Sequence, residues 1–296
     1  RASLFSDSDY AFGSYAWRQC EFFYVEMIGS KRTADAALYR LLCELRLGIT
    51  SEQTAELMRS LIIDAAQAEP DATIISGRNA EVDAINNARL AKLNAPQSSF
   101  EGVYEALQSG VSEQKIQKWI ASLNAPQSLI LKEGAKVLFT ANKSGEFFNG
   151  EQGVVEKIEK SSSDEIESVV VKKPSGILSR VGLQTYELSE IAASGADAEQ
   201  VVLARYYQFP LKLAYAITIH KSQGMSIENL VCNLNHIFAN GQLYVALSRA
   251  IDPKKLRIFY GKSRPFREYL QSVVKIDEEV EKFYLENKFE NIKEDV

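Results

Sequence analysis

An apolar run that breaks into a cluster of polar groups constrains this chain more than any other feature. Leu213-Ala214-Tyr215-Ala216-Ile217-Thr218-Ile219 is followed at once by His220-Lys221-Ser222-Gln223-Gly224. A buried parallel strand reads this way when it delivers polar side chains to its carboxyl end, the edge where open α/β sheets bind ligands. Asn229 to Leu234 reads as an intervening strand. Gly241 to Ala250 reads as a helix with Leu243, Ala246, Leu247 and Ala250 on one side. Ser248 and Arg249 stand near its end. A forked, permanently charged guanidinium suits a polyphosphate better than any other side chain. An isolated arginine there would otherwise serve as an exposed cation at a helix C-terminus.

Further α/β elements precede this stretch. Ala72 to Ser76 reads as a strand, Gly77-Arg78-Asn79 as a turn, and the residues through Leu93 as a helix carrying Val82, Ile85, Leu90 and Leu93. Such a unit leaves free amides at the helix N-terminus, which suit a phosphate; Asn79 itself reads as an N-cap. Thr33 is expected to cap a helix with Leu38, Leu41, Leu42 and Leu45 on one face, and Thr50 with Gln53 to open a second. Ser112 starts another, whose Trp119 is expected in the core. The hexapeptide Leu-Asn-Ala-Pro-Gln-Ser occurs at Leu93 to Ser98 and again at Leu123 to Ser128, each time as a helix stop.

Leu129 to Asn142 reads as strand, turn, strand, and Asn149-Gly150 as a tight turn. From there to about Leu203 the pattern changes to short strands, among them Gly153 to Ile158 and Ile166 to Lys172, with a turn at Pro174-Ser175-Gly176. A block of short strands between α/β elements reads as an inserted small β-barrel. Leu256 to Tyr260 is a last strand, and Phe266 to Phe289 reads as one helical stretch.

The net charge of −5 speaks against a general nucleic-acid coat. Its distribution is uneven. Gly241 to Leu270 holds seven basic residues against two acidic, while Gln271 to Val296 holds eight acidic against four lysines. A local basic groove with salt-sensitive binding fits this pattern. No apolar run approaches the ~20 residues of a membrane span. Cys20, Cys43 and Cys232 are odd in number and far apart, and with only His220 and His236 beside them they suggest neither a zinc site nor a disulfide framework. The reading is a soluble, cytoplasmic protein, nucleoid-associated if bacterial, without a membrane partner.

Thr218-Ile219-His220-Lys221-Ser222-Gln223-Gly224 and Val245-Ala246-Leu247-Ser248-Arg249-Ala250 resemble the fifth and sixth motifs of superfamily 1 helicases, in the right order and separation. The resemblance is strongest to the 5′-to-3′ branch, the RecD-like and petite-integration-frequency enzymes. Thr73-Ile74-Ile75 with Arg78-Asn79 resembles the fourth motif. Lys132, Gly134, Ala135 and Val137 match another family segment. Val25, Glu26 and Arg32 match a segment whose arginine reaches the γ-phosphate, although Lys31 and Thr33 depart from its pattern; solvated charges before a helix are the other reading of Lys31 and Arg32.

The resemblance covers residues 12 to 262 and implies a RecA-like α/β domain with an inserted Src-homology-3-like β-barrel. It implies boundaries at 1–70 (helical lead-in), 71–146 and 205–262 (the motor domain), 147–204 (the barrel) and 263–296 (an acidic helical tail). It further implies that Thr218, His220 and Lys221, with Asn79, hold single-stranded DNA. Gly224 would allow close backbone approach to nucleotide or DNA, and Arg249 and Arg32 would sense the γ-phosphate of ATP. ATP and Mg²⁺ would be the cofactors. Single-stranded DNA, DNA forks and a preceding RecA-like motor domain would be the partners, in DNA repair and recombination. The chain contains no G-x-x-x-x-G-K-[ST], so the phosphate loop and the Mg²⁺ ligands are expected upstream of Arg1, and this chain alone is expected not to hydrolyse ATP. The alternatives are a stand-alone nucleic-acid-binding module, and a nuclease or transposition-type protein with a helicase-like part.

Overall fold

A computed structural model describes residues 10–29, 32–194 and 197–293. The chain divides into two compact units. One gathers Arg1–Ser60, Phe238–Tyr244 and Ser263–Val296; the other holds Leu61–Ile237 and Val245–Lys262.

The larger unit contains the expected parallel sheet, mixing α and β elements. Its four strands run in the order Ala216–Thr218, Thr73–Ser76, Leu230–Asn233, Leu256–Phe259, and every pairing is parallel. The two central strands are buried at every residue, which removes the alternation a half-exposed strand would show. Helix Asn79–Ala91 packs Val82 and Ile85 into one cluster with Ile74, Ala216 and Val231. One polar residue of that helix is also buried. Asn86 donates from Nδ2 to the Ala216 carbonyl at 2.9 Å and accepts the Ala216 amide at 2.9 Å. Both backbone groups on the open side of the edge strand are thereby satisfied.

Beside this sheet, five antiparallel strands follow the order Leu211–Leu213, Lys136–Phe139, Gln152–Lys160, Ile166–Lys172, Leu178–Val181. The short strands foreseen after Asn149-Gly150 are present, and strands from either side of that block join them. Val137, Phe139, Val155, Val169, Val171 and Leu211 are all buried in their core. Gly150 takes φ +87°, the left-handed conformation the Asn-Gly turn needs. A long hairpin, Gln184–Ser194 with Asp197–Gln208, pairs with Val103–Ala106. It sets Ala204 and Tyr206 against Ile116 and Ile120 of helix Glu113–Ser122. Trp119 is only half-buried, at the rim of that cluster.

In the smaller unit, helices Ala36–Arg46 and Glu52–Ser60 bury Leu38, Leu41, Leu42, Leu45, Ala55 and Met58. Their caps differ from expectation. The Asp35 carboxylate, not Thr33, accepts the Leu38 amide at 2.8 Å, and Ser51, not Thr50, accepts the Thr54 amide at 3.2 Å. A carboxylate facing the positive helix end is the stronger acceptor, and the Thr33 hydroxyl is left to accept the Asp35 amide at 3.2 Å. The tail is two helices, Phe266–Val273 and Glu278–Glu286, because Asp277 caps the second by accepting the Glu279 amide at 3.0 Å. Strand Glu290–Lys293 then pairs in parallel with Val25–Ile28. The aromatic-rich opening segment packs beside this pair, with Phe12, Trp17 and Tyr24 around Phe283. Among the described residues no helix is long and apolar enough to cross a membrane.

Candidate nucleic-acid interface

Strand Ala216–Thr218 ends where its sequence turns polar. Thr218 stands opposite Ser76 in the ladder, and the Ile219 amide donates to the Ser76 carbonyl at 3.1 Å. Ile219 then takes helical angles, φ −53° and ψ −47°, and His220–Ser222 forms a single 3₁₀ turn. Two contacts drive that turn. The buried Ser222 hydroxyl donates to the Ile219 carbonyl at 2.7 Å, and Thr218 Oγ1 accepts the Lys221 amide at 3.4 Å. Strand alternation therefore does not carry through to His220, and Thr218 and His220 do not share a strand face. Gly224 closes the loop with φ +81°, and nothing lies within 4 Å of where a Cβ would stand.

Thr218 and Lys221 line a cleft of about 500 Å³, together with Asn79 and Asp83 from the first turns of helix Asn79–Ala91. The Leu123–Ser128 segment supplies part of the facing wall. Three of the residues singled out in the sequence thus meet at the carboxyl end of the parallel sheet. Asn79 is the first residue of its helix and not its cap. Arg78 holds the cap position without a side-chain bond, and Ser76 Oγ accepts the Arg78 amide at 3.3 Å. The Asn79 amide is exposed toward the cleft. His220 is exposed on the turn but outside this lining.

A further cation in the cleft escaped sequence reasoning. Lys212 sits between buried Leu211 and half-buried Leu213, where a lone charge reads as an outward-facing strand residue. Its Nζ instead donates to Asn124 Oδ1 at 3.0 Å, and it lines the same cleft as Lys221. Burial, then repulsion from Lys221, lowers its ammonium to about 8. The signal available in the sequence was the lysine's place inside an apolar run, four residues before Ala216.

Arg249 is not an exposed helix-end cation. It is 8% exposed. Its guanidinium donates to the Val245 carbonyl at 3.0 Å, to Ser222 at 3.3 Å, to Met225 at 3.4 Å and to Ser248 Oγ at 2.8 Å. It ties the last turn of helix Gln242–Leu247 to the loop that carries Lys221 and Gly224. Arg32 belongs to the smaller unit, half-buried ahead of helix Ala36–Arg46, and Lys31 lies outside the described residues. Among the described residues no cluster of three His, Cys, Asp or Glu is placed to hold a metal ion.

A herpesvirus-type family model, described as Helicase, matches residues 139–282. The ATP-dependent DNA helicase Pif1 of Campylobacter jejuni is 38% identical over 293 residues, covering 98% of this chain and 65% of that protein. Among solved structures, unliganded Pif1 from Bacteroides sp. superposes with a TM-score of 0.75 at 21% identity, over 95% of this chain and 61% of that one. Bacteroides Pif1 in complex with ADP-AlF3 and single-stranded DNA gives 0.64 at 22% identity, over 95% and 60%. The chain thus spans less than two thirds of the relatives it matches. The fold agrees with theirs, and the polar turn after Thr218 and the Ser248-Arg249 pair occupy a chain similar to theirs along nearly its whole length. Over 98% of its length the chain is similar to the Pif1 family of superfamily 1 helicases.

Proposed function

We propose that this chain is the carboxyl-terminal motor half of an ATP-dependent 5′-to-3′ DNA helicase, and that its part is to grip one DNA strand. The observation that carries this is the convergence of Asn79, Thr218 and Lys221 on one cleft at the carboxyl end of the parallel sheet. An amide, a hydroxyl and an ammonium are the donors that hold a sugar-phosphate backbone without reading its bases. His220, exposed on the same turn, adds a further contact to the strand. The antiparallel strands after Asn149 serve as the Src-homology-3-like insertion of the domain spanning 71–262.

ATP with Mg²⁺ supplies the energy at a preceding motor domain, held by that domain's own groups. The contribution from this side is cationic. Arg249 reaches a γ-phosphate only by exchanging its bonds to the Ser222 and Met225 carbonyls. That exchange would release the loop bearing Lys221, so nucleotide state and strand grip would be coupled through one side chain. Arg32 is the second candidate sensor. A single-stranded partner is supported by the Bacteroides relative solved with single-stranded DNA.

The test compares the full-length protein with this chain alone. The full-length protein should unwind forks from a 5′ single-stranded tail and hydrolyse ATP when DNA is added. This chain should bind an oligonucleotide and hydrolyse nothing. DNA-stimulated hydrolysis by the pure chain, or unwinding only from 3′ tails, would overturn the reading.

A further inference from the structure

The cleft holds a cation, Lys212, with no counter-ion among the described residues. Lys212 lies largely buried between the Leu123–Ser128 segment and the turn that carries Lys221. Its one hydrogen bond is to the neutral Asn124 amide oxygen at 3.0 Å. Among the described residues no carboxylate pairs with it, and the charge that acts on it is another lysine, Lys221. The other ionisable group lining the cleft, Asp83, stands on helix Asn79–Ala91; the Leu123–Ser128 wall contributes only neutral groups. Burying an ammonium without an anion is costly unless a partner arrives.

The wall behind Lys212 is built to stay in place. Gln208 Nε2 donates to the Pro126 carbonyl at 2.9 Å and to the Gln127 carbonyl at 3.2 Å, and the Gly102 amide donates to Gln127 at 2.8 Å. These bonds anchor the backbone of the second Leu-Asn-Ala-Pro-Gln-Ser copy and leave the Asn124 side chain to Lys212. The hexapeptide is therefore more than a helix stop at this position.

We propose that Lys212, braced by Asn124 and set beside Lys221, holds a second backbone phosphate of the strand in this cleft. The proposal rests on the reading of the cleft as the strand's seat. Two ammonium groups on one cleft then face two successive phosphates, and the bound anion supplies the counter-charge the fold omits. Because the lysine is partly deprotonated near pH 8 in the free chain, a phosphate draws a proton onto it. Affinity should therefore fall as pH rises above 8, more steeply than solvent-exposed lysines would require.

The experiment is fluorescence anisotropy of a labelled oligothymidylate with this chain and its K212M, K212R and K221M variants, across salt concentration and pH. Thermal melting checks that each variant folds. K212M should weaken binding, lower the slope of log affinity against log salt by about 0.7 as one phosphate contact is lost, and flatten the pH dependence above 8. K212R should bind normally and lose that pH dependence. K212M with wild-type affinity and salt slope, while K221M weakens binding, would overturn the role of Lys212 and leave the cleft as the strand's seat. Unchanged binding in both K212M and K221M would overturn the cleft reading, and this proposal with it. Should K212M fail to melt cooperatively, K212R decides the matter: wild-type pH dependence in that variant would refute the proposal.

Discussion

Arg249 Nη1 donates to the carbonyl oxygen of Ser222 at 3.3 Å, and through that contact the turn just after helix Gln242–Leu247 holds the turn carrying Lys221. A guanidinium that bonds three carbonyls is also a structural brace, whatever it does with nucleotide. Arg249→Ala should destabilise the chain by about 2–4 kcal/mol, since buried acceptors lose a charged donor. Arg249→Lys should recover less than half, because an ammonium lacks the planar fork. Denaturant titration measures both. Because the turn bearing Lys221 loses this brace, the variant should also bind an oligonucleotide more weakly. Wild-type stability in Arg249→Ala would remove the bracing role.

Asn86 is the second polar residue on which the site's geometry depends, because it fixes the edge strand that ends in Thr218. Asn86→Leu keeps the volume but leaves the Ala216 amide and carbonyl without partners. The expected loss is about 1–3 kcal/mol with an unchanged denaturant slope. Hydrogen exchange at Ala216 should accelerate first. A loss below that range with Ala216 still protected would mean that the ladder to Thr73–Ser76 suffices by itself.

Much of this arrangement was legible in the sequence, for identifiable reasons. The parallel strands announced themselves as short buried runs, and the polar break after Thr218 marked the ligand-binding edge. The failures have separate causes. Strand alternation alone would set Thr218 and His220 on one face, but the Ser222 hydroxyl bends the chain into a 3₁₀ turn that begins at His220. Asp35 and Ser51 displaced Thr33 and Thr50 as caps because several good acceptors stood side by side, and only the backbone geometry selects among them. Lys212 showed in the sequence only as a lysine inside an apolar run, because its environment is made by Asn124, distant in sequence. The pairing of Glu290–Lys293 with Val25–Ile28 joins segments from opposite ends of the chain, which no local pattern encodes.

Two half-buried lysines give stability a pH dependence of definite sign. Burial lowers Lys136 to about 8, although the Asp71 charge partly offsets this, and burial with repulsion from Lys221 does the same to Lys212. An unfolded lysine titrates near 10.4. Between those values the unfolded chain holds more protons than the folded one, so stability rises with pH. The fully buried Cys232 thiol is pushed up by desolvation and acts in the opposite sense once unfolded thiols ionise, near 8.5–9. The rise should therefore be steepest between pH 8 and 9 and shallower above. Denaturation midpoints over that range measure it, and Lys136→Met should reduce the slope. A flat profile in the wild-type chain would mean that both ammonium groups keep their ordinary affinity for protons.

Gly224 offers a test of the loop that separates backbone strain from contact. Its φ of +81° lies in the left-handed region, yet a Cβ there would touch nothing within 4 Å. Gly224→Ala should therefore cost about 1–2 kcal/mol from conformation alone, and Gly224→Asn less, since asparagine tolerates that region. The free chain gives no steric reason for either variant to bind DNA differently beyond the loosened loop. If Gly224→Asn keeps stability within ~0.5 kcal/mol of wild type and still loses oligonucleotide binding, the missing side chain is needed because the strand itself passes over this residue. If binding follows stability in both variants, the glycine serves the turn alone, and the close approach of DNA to the loop belongs to Thr218 and Lys221.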